Sequence, residues 1–349
     1  MKVSLSALMR AAGVCAFILI CTAGLAFAQN PQYPQQTQEP KKDQSKEPKV
    51  SDAENQALKK IVDAPDAATK LQTATEFVKK YPKSAKRSEV ARHLAGEITR
   101  VQDTAQQITL SEGYLASFNL PEEAALVNQY LIDAYVKANR LDDAFRIAAT
   151  MLEKNPNDVI VLTQMSIVAS EELKRNNPKY IQQSQTYGMK AIELIEADKK
   201  PDAIEPARWS EYKTRWLPQL YQSLGLVSFL SGNKTDAKAK LEKAASLNAT
   251  DPVTFMLLGS MVNEEYQQLA EKHKTMSAGP VKDDTLKEAH AKMDQVIEAF
   301  ARAVALSEGN PQYQRLHDQL KQDLTAYYKY RKGSTDGLQQ LIDKYKKTQ

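Results

Sequence analysis

A short apolar motif that returns after 34 residues constrains the fold of this chain most. Leu224-Gly225 recurs as Leu258-Gly259, and each pair follows an aromatic residue, Tyr221 and then Phe255. A period of that length is the signature of stacked helix-turn-helix units, each unable to bury its apolar face alone. The motif therefore predicts an all-α chain whose repeats share one continuous core.

The ends of the chain are of a different kind. Lys2 and Arg10 precede an apolar run from Ala11 to Ala28 that closes on Ala26-Phe27-Ala28. This pattern predicts a secretory signal peptide over residues 1–28, cleaved after Ala28. Retention as an N-terminal anchor is the alternative, since the apolar stretch of about 17 residues is at the lower limit for a spanning helix. Cys15 and Cys21, the only cysteines, lie inside this segment and lack the Leu-small-small context of a lipidated cysteine. The remainder can form no disulfide, thiolate metal site or cysteine nucleophile. It is long enough to build a core without them.

Residues 29–50 carry Pro31, Pro34, Pro40 and Pro48 among glutamines and lysines, with few apolar groups. Such a segment cannot bury a face and reads as a disordered tether. From Ser51 onward, apolar residues return at three- and four-residue intervals: Leu71, Ala74, Phe77, Val78 and Tyr81, then Val90, Leu94, Ile98 and Val101. No alternating apolar–polar run bounded by turns appears, so no strand is predicted over 51–349.

Setting aside Lys2 and Arg10 leaves 45 basic against 43 acidic residues, and the two signs alternate along the predicted helices. That argues against nucleic acid as a partner and against a polybasic membrane patch. Membrane proximity would come from an uncleaved leader or from a partner.

The clearest helix pairs are 125–158, 218–251 and 252–310, the last with an insertion; 51–124 and 159–197 are looser. In the first, Leu131, Ile132 and Tyr135 precede a turn at Asn139-Arg140, and Ala144, Ala148 and Met151 follow. In the second, Leu224 and Gly225 precede a turn at Ser231-Gly232-Asn233, and Ala237, Leu241 and Ala244 follow. The third opens with Phe255, Leu258 and Gly259. Small residues suit the close approach of paired helices, and large ones fill the gaps between them.

This pattern resembles the tetratricopeptide repeat (TPR) family. The resemblance implies a right-handed α-solenoid with a C-terminal helical cap and a concave face formed by the first helix of each pair. It implies Leu131, Ala144, Leu224, Gly225, Ala237, Ala244, Phe255, Leu258 and Gly259 as packing positions. It places Gln129, Asp133, Lys137, Thr163, Gln222, Met256 and Asn263 on the groove that would receive a protein or peptide. The family's carboxylate clamp requires lysine and asparagine at set groove positions, and this chain has mixed residues there. It also departs at Ile132, where a small residue is usual, and at Ala249, where a proline is usual. The stretched connections within 159–197 and 252–310 imply two hairpins that protrude, and 201–216 reads as an inserted helix of its own. The segment FVKKYPKS, Phe77–Ser84, is similar to segments of repeat proteins of the bacterial cell envelope.

No chemistry is legible. His93, His273, His290 and His317 show no metal-ligand spacing. Gly232-Asn233-Lys234-Thr235 lacks the preceding glycine and strand of a phosphate-binding loop, and no nucleophile elbow is present. Trp209, Tyr212 and Trp216 share one helical face and read as a core plug rather than a binding stripe. The sequence thus predicts an exported, non-catalytic scaffold of the periplasm or cell envelope, with no cofactor or metal. A structural part of an envelope or secretion assembly is the alternative, and an enzyme with an unrecognised site a more distant one.

Overall fold

The structure, a computed structural model, describes residues 50–346. The segment expected to be a signal peptide, with its expected cleavage after Ala28, and nearly all of the expected tether lie outside the described residues. Fourteen α-helices and two short 3₁₀ turns make up the ordered elements, and no strand occurs among the described residues. Along the sequence the chain divides into two compact units, with the boundary between Val161 and Leu162.

The first unit contains α1 (Asp52–Asp63), α2 (Ala67–Lys80), α3 (Arg87–Ile98), α4 (Thr104–Ser117), α5 (Pro121–Lys137) and α6 (Leu141–Lys154). Ser51, Asp66 and Asp103 cap α1, α2 and α4 by accepting the N–H of Glu54, Thr69 and Gln106. Such caps satisfy amides that have no intrahelical partner. Each helix touches its chain neighbour, and α2 also meets α4 as α3 meets α5. The shared core includes Phe77, Val78, Leu94, Ile98, Tyr114 and Phe118. Across it, Arg87 Nε and Nη2 donate to the two carboxylate oxygens of Glu123 at 2.6 and 2.9 Å, tying α3 to α5. Arg87 Nη2 also donates to Ser117 O, and Leu120 N–H donates to Glu123. Leu131, Ile132, Ala144 and Ala148 are all fully buried, and Asn139 turns the chain between α5 and α6 with φ of 56°.

Helix α7 (Val159–Lys174) leads into the second unit, which continues through α8 (Ile181–Glu196), α9 (Pro206–Leu230), α10 (Lys234–Leu247), α11 (Pro252–Thr275), α12 (Pro280–Ser307), α13 (Gln314–Lys332) and α14 (Leu338–Lys346). Here α9 pairs with α10 and α11 with α12; α10 meets α11, and α9 also reaches α11. The helices carrying Leu224 and Leu258 are therefore neighbours. Both α13 and α14 lie against α12.

Glycines mark the closest approaches. A Cβ on Gly225 would stand 2.8 Å from Leu241 Cγ on α10. One on Gly259 would stand 2.6 Å from the Phe300 ring on α12, and one on Gly188 would stand 2.5 Å from Ser166 Oγ on α7. At that last crossing, Ser166 and Ser184 hydroxyls donate to each other's backbone carbonyls at 2.8 and 3.0 Å. Ala237, Leu241 and Ala244 are fully buried, and Phe255 and Leu224 nearly so, while Leu258 is half-buried at the edge of the same core.

One expectation about the elements is corrected. Residues 201–216 do not form a separate helix: α9 runs unbroken from Pro206 to Leu230 with Pro218 inside it. A proline there lacks the N–H that would bond Thr214 O and crowds that carbonyl, at a cost of about 3 kcal/mol. Burial of Trp209, Tyr212 and Trp216 on the preceding turns offsets it. Trp209 stacks on Tyr212 at 5.5 Å, and Trp209 Nε1 donates to Asp198 at 2.7 Å. The 159–197 pair has the stretched connection that its sequence predicts. Helices α7 and α8 are 16 residues each, and the stretch is confined to the connection, Arg175–Tyr180. By contrast, α11 and α12 are long, at 24 and 28 residues. Lys234 at the start of α10 pairs with Glu264, so α11 continues roughly 16 Å beyond that point.

Candidate functional site

Several of the groove positions named from the sequence are buried within their own unit. In the first unit, Lys137 is exposed at the end of α5, Asp133 is half-buried, and Gln129 is only 4 % exposed. In the second unit, Thr163 is 2 % exposed, Met256 4 % and Asn263 5 %. A buried side chain cannot contact a ligand without displacing its cover, so Gln129, Thr163, Met256 and Asn263 are corrected to interior positions.

The cover is visible for Asn263. Helix α13 lays Tyr327 over it, and the Tyr327 hydroxyl donates to Asn263 Oδ1 at 2.7 Å. Met256 belongs to the same apolar cluster as Phe300, Leu320 and Tyr327. Gln222 is held as well: its amide donates to Asp251 Oδ2 and, at 2.8 Å, to Thr254 Oγ1. Asp251 caps α11 through Thr254 N–H at 2.9 Å. Gln222 thus locks one helix pair to the start of the next.

Asn263 sits at a junction of α11, α12 and α13. Its centre is a group of rings, with Tyr266 and Tyr327 edge-to-face at 6.3 Å and Phe300 6.2 Å from Tyr327. Burial pushes the Tyr327 phenol up to about 12 and raises the Tyr266 phenol as well. Tyr330, a turn further along α13, is 38 % exposed. One turn before Tyr327 lies Asp323, half-buried. Gln319 Nε2 approaches both its carboxylate oxygens, at 3.4 Å each. Burial pushes the Asp323 carboxyl up to about 6, against a small opposing pull from Gln319. Sequence reasoning missed Asp323. The signal was present: along α13 the apolar stripe Leu316, Leu320, Leu324, Tyr327 is interrupted on its own face by a single acid.

The histidines hold structural places where they are buried. His317 Nδ1 lies 3.1 Å from Val304 O and 3.2 Å from Ser307 Oγ at the end of α12. His290 titrates below the ordinary histidine range because of burial first and the nearby Arg331 charge second. Among the described residues, no group of three or more His, Cys, Asp or Glu side chains could hold a metal ion. No helix among them is long and apolar enough to cross a membrane. Compared with known families and with curated proteins, the chain matches no family model and no curated sequence.

Proposed function

We propose that this protein is an exported, non-catalytic scaffold of TPR-like helix pairs that binds a protein or peptide partner in the periplasm or cell envelope. The observation carrying this reading is the arrangement of α9/α10 and α11/α12. Two antiparallel pairs repeat at a 34-residue interval, each with a glycine at its crossing, and their first helices neighbour each other. Continued along the chain, such stacking yields a right-handed solenoid with α13 and α14 as its cap. Solenoids of this kind present extended surfaces suited to protein ligands.

The apolar leader before the charged, proline-rich segment supports export. The Ser166–Ser184 and Gln222–Asp251 contacts, which tie helix to helix, support reading the polar residues there as architectural. Affinity capture from envelope extract with crosslinking tests the reading. Recovery of a discrete partner in stoichiometric amount is the expected result. Recovery of nothing above a scrambled-surface control, or turnover of hydrolase or glycan substrates by the purified chain, would refute it.

A further inference from the structure

We propose that His290, on α12, is an acid-operated release for the last turn of α13: once protonated, it competes for Asp294, the carboxylate that fastens that turn to α12. The inference goes beyond the binding reading and holds whether or not a partner is bound.

Three observations carry it. The first is the fastening itself. Arg331 Nη2 donates to Asp294 Oδ2 at 2.9 Å, and Lys332 Nζ donates to Oδ1 at 3.3 Å. Two adjacent cations at the end of α13 thus converge on one acid of α12. The hold is incomplete, because Arg331 Nε is buried and has no hydrogen-bond partner among the described residues.

The second is register. His290 stands four residues before Asp294, one turn away on the same face of α12, and is half-buried. A charged imidazole there reaches the carboxylate from within one helix, whereas Arg331 and Lys332 reach it from another. The third is the surrounding charge. The groups that act on His290 are Arg331 from α13, Asp294 from its own helix and His273 from α11. Glu265 and Lys292, at 2.5 Å between α11 and α12, already satisfy each other. Protonation therefore sets a third cation beside a single acid, with His273 close behind, and like charges so placed repel.

The sign follows from the setting. Burial and the Arg331 charge hold His290 below the ordinary histidine range. A native contact that disfavours the charged imidazole is weakened as the proton binds, so the effect grows as the pH falls below that range. Its size is modest, since partly exposed ion pairs carry a factor of about five at most. Acid loosens the end of α13, while the buried stripe Leu320, Leu324 and Tyr327 keeps the rest of the helix seated.

Hydrogen exchange of the whole chain, read by mass spectrometry at pH 7.5 and 5.0 and corrected for the intrinsic rate at each, tests this. Protection of the amides around Arg331 and Lys332 should fall about fivefold at the lower pH. His290→Gln cannot gain the charge and should keep its protection at both. His290→Lys carries the charge throughout and should be loosened to a similar degree already at pH 7.5. Asp323, on the same helix, titrates in the same window, but it is common to all three chains and cancels in the comparison. The two variants act in opposite senses, so the test remains decisive if one of them folds poorly. Unchanged protection in the unaltered chain, a fall that persists in His290→Gln, or a His290→Lys chain as protected at pH 7.5 as the unaltered one would overturn the proposal.

Discussion

A carboxylate that folding drives up in pKa holds its proton more tightly in the native state than in the unfolded one. Asp323 is such a group, at about 6. Its contribution is therefore greatest below the ordinary carboxylate range and is lost as the pH rises through about 6. At neutral pH the ionised group is a burden of about 1–2 kcal/mol, after discounting for its partial exposure. Asp323→Asn should accordingly stabilise the chain by that amount at pH 7.5, with the difference fading by pH 4. Chemical denaturation across that pH range measures it, and a variant less stable at pH 7.5 would contradict the placement. Two glycines give a contrast of sign at the same scale. Gly96, inside α3, has nothing within 4 Å of where a Cβ would stand, whereas Gly259 meets Phe300. Gly96→Ala should gain about 0.5–1 kcal/mol from helix propensity. Gly259→Ala should lose about 1–3 kcal/mol by overpacking. Thermal melts of the two variants decide it; shifts in the same direction would show that the α11–α12 crossing is not close.

Elements were legible wherever a single periodicity ran between clear punctuation. Pro82 follows α2, and the three- and four-residue spacing around Phe77, Leu94 and Phe300 marks buried faces, whereas Gly279-Pro280 reads as mid-loop and in fact opens α12. Legibility failed where tertiary contacts overrode local rules. Pro218 reads as a helix start, yet the aromatic residues before it gain more by burial than the missing hydrogen bond costs. It failed again at Gln129, Thr163, Met256 and Asn263, because no local pattern shows which neighbouring helix covers a polar residue. The Arg87–Glu123 bridge was equally invisible, since its partners lie 36 residues apart. Glu123 is almost fully buried and accepts from Arg87 and from Leu120 N–H. Glu123→Ala should cost about 3 kcal/mol, because it strands the Arg87 charge in a low-dielectric site. The double variant Arg87→Met with Glu123→Leu should recover most of that loss, as apolar replacement of a buried pair is often neutral. Urea unfolding of the single and double variants separates the two; equal loss in both would mean that the bridge stabilises beyond its desolvation cost.

At the scale of the molecule, the helices of each compact unit mostly contact their chain neighbours, so the two units are expected to differ in stability. The sequence supplies a probe for this. Its two tryptophans, Trp209 and Trp216, both lie on α9 and are buried in the second unit. Indole fluorescence therefore reports the unfolding of residues 162–346, while far-ultraviolet circular dichroism reports helices of both units. Glu123→Ala acts in the first unit and Gly259→Ala in the second. The first variant should move the early part of the dichroism transition to lower urea and leave the fluorescence midpoint nearly unchanged. The second should move the fluorescence midpoint by the amount its 1–3 kcal/mol implies. If both variants displace both signals equally, the two units unfold as one cooperative body, and the stability of the α9–α12 pairs depends on helices far outside their own core.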